Sequence, residues 1–489
     1  MDLTDRLSQG VKAMFGADLL DKLSQGVLIV LLTRVLFTPE EYGELNFVLS
    51  AVGIVTVFAT LGLPKSAARY VTEFGETDPG QIPYVLRRSF AYLAVLVGLV
   101  AGAIVLVGGP TAELLGVPSL GSYLFVGSAI VVARAFSGYF SALFQGFNRV
   151  TWTAALKVVK GVGRLVLVVS FVALGYGVLG ALAGYLLAAV AATAVGAGVL
   201  YYRFYVGITV ADTPAPKLTK RLLEYSIPLT ATRGANVLDK KVDTILVGVL
   251  LNMTAVGYYT IAKQVSDLVA TPAATFGFTI SPAIGEERSG NRNDRAARLY
   301  ERSLEYVLLL YIPGIAGLIL VAGPMVRYVF GTDYLAAVPV VQVFSGFILV
   351  NAINKVTSDG LDFLGRARSR AIIKTAMAIS NVLLNLLLIP MVGVVGAAIA
   401  TVITYTVYTL SNVYFIHQEL GIDVAGLLRW LGIVSLVTLG MATMVWAVMP
   451  YVSGLLTLLG AVLLGVVVWA LLAVGGGVLD LQEVRRFLT

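Results

Sequence analysis

Apolar residues along this chain gather in runs of roughly 20, divided by short stretches rich in glycine, proline and charge. A run of that length, wound as an α-helix, crosses a hydrocarbon core about 30 Å thick. Fourteen such spans are predicted, at about 19–37, 44–63, 84–108, 121–143, 152–174, 177–201, 222–250, 256–281, 303–322, 338–363, 371–390, 393–416, 428–449 and 452–474. At ~22 residues each they take up about 308 positions. The remainder of the 489 residues is too short, once divided among thirteen connections and two tails, for a sizeable extramembrane domain. The pattern predicts an all-α integral membrane protein with about 14 transmembrane helices.

Composition agrees. Hydrophobic residues make up 58% and charged residues 13%, where a soluble domain has about 45–50% and about 25%; the mean hydropathy is +0.88. There is no Cys, and His417 is the one histidine, so disulfide frameworks, thiol nucleophiles, haem and ordinary zinc sites are excluded and no cofactor is expected. The net charge of +7 does not indicate nucleic acid, because the basic residues lie in inter-helical connections, where topology accounts for them. The N-terminus carries Asp2 and Asp5 without a small-residue cleavage site and does not read as a cleaved signal peptide.

The even-numbered connections are rich in Lys and Arg: Lys65, Arg69, Arg87 and Arg88; Arg149, Lys157 and Lys160; Arg203, Lys217, Lys220 and Arg221; Arg288, Arg292, Arg295, Arg298 and Arg302; Arg366, Arg368, Arg370 and Lys374. The odd-numbered ones hold little that is basic except Arg327. The positive-inside rule then places the even connections and both termini in the cytoplasm, in a cell-membrane protein.

The chain also repeats itself. LLDKLSQG (19–26) matches VLDKKVDT (237–244), EYGELNFVLS (41–50) matches AVGYYTIAKQ (255–264), and GYGVLGALA (175–183) matches MVGVVGAAIA (391–400). The near-constant offset, about 215 residues, implies a duplication into a six-helix half at 1–215 and another at 216–420, followed by two additional helices and a cytoplasmic tail at 421–489. An even helix count gives both halves the same orientation, and such architectures usually place the substrate path between halves near the midplane.

Several spans hold ions. Helix 1 carries Asp21, Lys22 and Arg34; helix 4, Arg134; helix 7, Arg233, Asn236, Asp239, Lys240, Lys241 and Asp243; helix 8, Lys263 and Asp267; helix 10, Lys355, Asp359 and Asp362. Eight cations facing lipid would cost roughly 20–28 kcal/mol on the lenient insertion scale, more than helix packing offsets, so some snorkel and the rest face water or one another. Lys263–Asp267 and Lys355–Asp359 are i,i+4 pairs, Arg233 and Lys240 share a helical face, and Asp239 and Asp243 share another. Helices 11 to 14 are almost uncharged. This asymmetry predicts a hydrated, net-cationic cavity whose ligand is anionic, with Arg suited to phosphate. The candidate binding residues are Arg134, Arg233, Lys240, Lys263 and Lys355; Asp239, Asp243 and Asp359 are candidates for coupling an ion.

Other signals carry less. GYGVLG (175–180) fits G-x-G-x-x-G but joins two spans with no βαβ unit around it, and there is no G-x-x-x-x-G-K-[ST]. Pro228, Pro272, Pro282 and Pro313, within or beside spans, are candidate kinks. Asn252-Met-Thr is a sequon in a predicted external loop.

With fourteen spans, a 6+6 repeat, LGLPKSAARYV (61–71), FQGFNRV (144–150), FGTDYLAAVPVV (330–341) and LGRARSRAIIK (364–374), the chain resembles the polysaccharide exporters, or lipid-linked oligosaccharide flippases, of the multidrug/oligosaccharidyl-lipid/polysaccharide superfamily. The likeness runs over essentially the whole chain. It implies alternating access through a cationic cavity, and movement of a polyprenyl- or dolichyl-phosphate-linked saccharide across the cytoplasmic membrane. The partners implied are that lipid-linked saccharide, membrane lipids and glycan-assembly enzymes. A cation-coupled multidrug antiporter and a peptidoglycan-precursor flippase of the same superfamily are the alternatives. A membrane glycan polymerase would need a catalytic loop, and the predicted external connections are too short to fold one, so no enzyme is expected.

Overall fold

The structure, a computed structural model, describes residues 3–479. The last ten residues of the predicted cytoplasmic tail, 480–489, lie outside the described residues. Sixteen α-helical segments and no strand occur among them. The first eight are α1 (Leu3–Leu31), α2 (Pro39–Thr60), α3 (Leu63–Thr77), α4 (Ile82–Leu114), α5 (Ser119–Gly146), α6 (Val150–Phe171), α7 (Gly177–Leu200) and α8 (Leu218–Leu250). The rest are α9 (Met253–Val269), α10 (Thr271–Ser289), α11 (Asn293–Met325), α12 (Val338–Phe363), α13 (Ala367–Val392), α14 (Val394–Leu420), α15 (Val424–Val448) and α16 (Leu455–Gly475).

Sixteen segments reduce to the fourteen predicted rods. The short, amphipathic α3 follows α2 after only Leu61 and Gly62, and α10 continues α9 beyond Ala270. Among the described residues, eleven apolar stretches are long enough to cross a membrane, and one of them, Val150–Tyr205, contains both α6 and α7. The two rods outside that set are α1 and α8, whose charges reach into the middle of the helix. The chain is a multi-pass membrane protein.

Two compact units form, 1–249 and 250–489. In the first, α5 is the hub, packed by α2, α3, α4 and α7, with α1 lying against α6. In the second, α12 is the hub, packed by α9, α10, α11 and α14, with α13 against α14 and the α15–α16 pair added on α11. The unit boundary follows α8, whereas the predicted repeat boundary at 215 precedes it. The start of α8 is bonded into the first unit: Ser66 Oγ donates to the Leu222 carbonyl at 2.8 Å, and Arg221 pairs with Glu73 at 2.5 Å.

The repeat has a local physical basis. Thr38 and Asn252, 214 positions apart, cap α2 and α9 by accepting the backbone N–H of Glu41 and Ala255, which satisfies donors that a helix start leaves open. Gly177 and Gly393, 216 apart, open α7 and α14 at φ 53°, ψ −140° and φ 69°, ψ −149°, a backbone state natural only to glycine. Three residues on, a Cβ at Gly180 would lie 2.7 Å from the Tyr176 Cβ, and one at Gly396 would lie 2.3 Å from the Leu388 carbonyl oxygen. The G-x-G-x-x-G look-alike is therefore turn and packing chemistry.

Pro272 ends α9, since its ring cannot continue the backbone ladder. The break is served by Tyr311 of α11, 3% exposed. Its hydroxyl accepts the Ala273 N–H at 2.9 Å and donates to the Val269 carbonyl at 3.1 Å. Pro228 and Pro313 lie inside α8 and α11, which run on through them.

Candidate functional site

The polar interior of the first unit begins with a stripe on α6. Lys157, Lys160 and Arg164 are spaced i, i+3, i+7, so they share one face. That face meets α1, where Asp18 pairs with Lys157 and Asp21 receives Arg164 Nη2 at 3.1 Å. The approach depends on Gly161: a Cβ there would lie 2.6 Å from Asp21 Oδ1. Arg134 projects from the middle of α5. The ring of Tyr185, on α7, has the guanidinium carbons of Arg134 and Arg164 each 5.8 Å from its centroid.

These groups enclose a cavity of about 490 Å³, whose lining holds Arg134, Lys157, Lys160 and Arg164 against one carboxylate, Asp21. Arg164 Nε is buried without a hydrogen-bond partner. Neither Arg134 nor Lys160 makes a side-chain hydrogen bond or salt bridge among the described residues. An adjoining cavity of about 530 Å³ lies among α2, α5 and α8. It shares Arg134, Gly138, Ser141 and Gln145 with the first, adds Lys65 and Arg233, and has no carboxylate among the described residues of its lining. At 1.5 Å per residue, Lys157, Lys160, Arg134 and Arg164 stand about 10, 15, 18 and 21 Å from the α5–α6 turn. They form a staircase from that end of the unit to mid-helix depth.

A guanidinium partly buried on a cavity wall, as Arg134 and Arg164 are, has given up part of its hydration. Guanidinium groups regain it best from an oxyanion, through charge-assisted, often bidentate hydrogen bonds. The arrangement suits phosphate or carboxylate. No cluster of three or more His, Asp or Glu side chains stands close enough to hold a metal ion among the described residues.

Of the residues singled out by sequence, Arg134 and Arg233 come together on one cavity. Lys240 lies two turns beyond Arg233 on α8, with Asp239 half-buried and Asp243 2% exposed on the same helix. Lys263, Lys355 and Asp359 belong to the second unit, on α9 and α12; Lys263 Nζ lies 5.5 Å from the Tyr259 ring centroid. Sequence reasoning missed Arg164 as a cavity residue and assigned Lys157 and Lys160 to a connection. The i, i+3, i+7 spacing, facing Asp18 and Asp21 at i, i+3 on α1, is the signal that finds them.

Fourteen long, mostly apolar rods define a polytopic helical membrane protein. The profile of the family described as "Polysaccharide biosynthesis protein" matches residues 7–286, and the chain belongs to that family. It is similar to the probable low-salt glycan biosynthesis flippase Agl15 of Haloferax volcanii, 20% identical over 228 residues, 46% of this chain and 48% of that one. It is also similar to the probable flippase AglR of the same organism, 28% identical over 155 residues, 31% and 32% of the two chains. The matches thus span about half and about a third of these relatives' lengths. Among solved structures, the lipid II flippase MurJ in an inward closed conformation superposes with a TM-score of 0.75 over 95% of this chain and 98% of that one, at 16% identity. That is a likeness of fold.

Proposed function

We propose that this protein is a flippase that moves a lipid-phosphate-linked oligosaccharide or polysaccharide precursor from the cytoplasmic to the outer leaflet. The observation that carries the reading is the pair of adjoining cavities that share Arg134, where cations outnumber carboxylates at mid-helix depth. A phosphosugar head group cannot enter hydrocarbon without losing its hydration. Arg134, Arg164, Arg233, Lys65 and Lys160 replace that hydration while the isoprenoid tail, polyprenyl or dolichyl, stays in lipid. Lys240 on α8, and Lys263 and Lys355 in the second unit, are further candidates for binding the substrate during alternating access, and Asp239, Asp243 and Asp359 are the candidates for ion coupling. The Lys- and Arg-rich connections and both termini lie in the cytoplasm of a cell-membrane protein. With the cell interior negative, outward movement of an anion is downhill by about 2.3 kcal/mol per charge per 100 mV, so the potential can drive export. Glycan-assembly enzymes supply the substrate and take up the product.

The flippase names of Agl15 and AglR support this reading. A cationic drug as substrate is disfavoured by the same lining, because it would meet like charge. The test is a proteoliposome assay with a labelled polyprenyl-phosphate-linked saccharide, scored by protection of the sugar from an impermeant reagent, with and without an imposed potential. Protein-dependent movement, faster when the destination side is positive, is expected. Absence of movement together with ion-driven uptake of a cationic dye would overturn the proposal.

A further inference from the structure

A second recess lies on the flank of the first unit, where α4, α5 and the turn that ends α7 meet. It encloses about 330 Å³, with apolar walls from Leu86 and Phe90, Tyr139 and Phe140, and Ala197 and Leu200. One charged group, Arg87, stands at its rim beside Tyr201 and Tyr205. Arg87 is the sixth residue of α4, Tyr139 and Phe140 lie about two turns from the end of α5, and Ala197 lies one turn from the end of α7. The groove therefore runs about 10 Å inward from the end of the unit that holds the α5–α6 turn, with its charge outside and its apolar wall inside.

Arg87 is exposed and forms no salt bridge among the described residues. Its Nε–H donates to Tyr205 Oη at 2.9 Å, which fixes the guanidinium at the rim and leaves its four other N–H donors available. Tyr201 and Tyr205 stack with centroids 6.0 Å apart, and Tyr202, 78% exposed, continues the aromatic turn. Tyrosines so placed belong at the headgroup level of a bilayer. None of Arg134, Lys160, Arg164 or Arg233 lines this groove.

We propose that the groove is a binding site for a membrane phospholipid of net negative charge, with the phosphate on Arg87 and the start of one chain between Phe90, Phe140 and Ala197. The charge pattern argues for a lipid over other occupants. A free anion would use only the rim and a neutral hydrocarbon only the wall, whereas a lipid of the surrounding leaflet satisfies both at once. Basic pockets between transmembrane helices take anionic headgroups for this reason. The bound lipid ties α4 to the turn after α7. The proposal is independent of what the interior cavities carry.

The test is native mass spectrometry of the full-length protein in detergent, titrated separately with phosphatidylglycerol, phosphatidylcholine and glycerol 1-phosphate. The variants are R87Q, R87K and A197F, each checked for unchanged thermal unfolding. One phosphatidylglycerol more than in R87Q or A197F is expected on the wild type at equal lipid, with affinity about tenfold weaker in those two variants and close to wild type in R87K. Phosphatidylcholine should bind the wild type and R87Q alike, and glycerol phosphate should not displace the phospholipid. Equal binding of phosphatidylglycerol to wild type and R87Q would overturn the site. So would full displacement by glycerol phosphate, which would reduce it to a headgroup-only anion contact. Because Arg87 is exposed, R87Q remains informative if A197F fails to fold.

Discussion

Replacing Arg134 with glutamine separates the two roles a buried cation can have. A structural cation is held by a carboxylate, and removing one partner of a buried pair costs about 3–5 kcal/mol because the other is left uncompensated. Arg164, bonded to Asp21 at 3.1 Å, is of that kind, at a smaller cost because the pair is only partly buried. Arg134 has no carboxylate partner, and its neighbours in the cavity, Arg164, Lys157 and Lys160, bear like charge. Arg134→Gln should therefore leave thermal stability unchanged or raise it, and Arg164→Gln should lower it. For a phosphate-bearing substrate the loss is one charge-assisted hydrogen bond, about 1.5–3 kcal/mol, and each 1.4 kcal/mol is tenfold. The substrate level for half-maximal flipping should rise by about 10- to 100-fold. Initial rates in proteoliposomes across a range of substrate mole fractions, beside thermal unfolding in detergent, measure both quantities. Wild-type half-saturation in Arg134→Gln would refute the reasoning, as would a loss of stability equal to that of Arg164→Gln.

Tyr311→Phe should destabilise the second unit by about 1–3 kcal/mol, the cost of leaving a buried donor or acceptor unmade, because Ala273 N–H and Val269 C=O both depend on its hydroxyl; thermal unfolding in detergent reads the loss. Gly396→Ala should cost about 1–3 kcal/mol by overpacking, since its Cβ would meet the Leu388 carbonyl at 2.3 Å. Gly314→Ala, with nothing within 4 Å, should be neutral or stabilising in the same unfolding experiment. The chain has no cysteine, so Ser289→Cys and Thr332→Cys each introduce a unique thiol. An impermeant maleimide should label Thr332→Cys in intact cells and Ser289→Cys only after lysis; the reverse pattern would invert the topology.

The parts of the fold legible in the chain are those where backbone geometry dictates residue type. Thr38 and Asn252 cap equivalent helices, and Gly177 and Gly393 open equivalent ones with nearly the same torsion angles, so the repeat survives in residues that no other type replaces cheaply. The apolar runs located all fourteen rods, α1 and α8 among them although both carry charge that lipid does not accept. The break after α2 was less legible. Residues 63–77 contain Lys65, Arg69, Glu73 and Glu76 and fall below membrane hydropathy, yet Leu63, Ala67, Tyr70 and Phe74 are buried along one stripe. A scan for spans passes over a helix that short and that amphipathic.

The candidate site divides along a different line. A hydropathy scan detects a charge that lipid cannot accept, and Arg134 and Arg233 are detected in that way. It cannot tell whether a charge has a partner, because partners come from other helices. Lys157, Lys160 and Arg164 read as part of a basic connection and its neighbouring span until α1 brings Asp18 and Asp21 against them. Two ion pairs join α1 to α6, and those two aspartates supply both. Lys160 and Arg134 exceed that need. Both line the cavity, Arg134 partly buried and Lys160 exposed, with no hydrogen-bonded carboxylate among the described residues, and like charges brought so close add nothing to stability. The physical use left for such a surplus is an anion that comes from outside, and its position at mid-helix depth is where a head group crossing the bilayer has least water of its own.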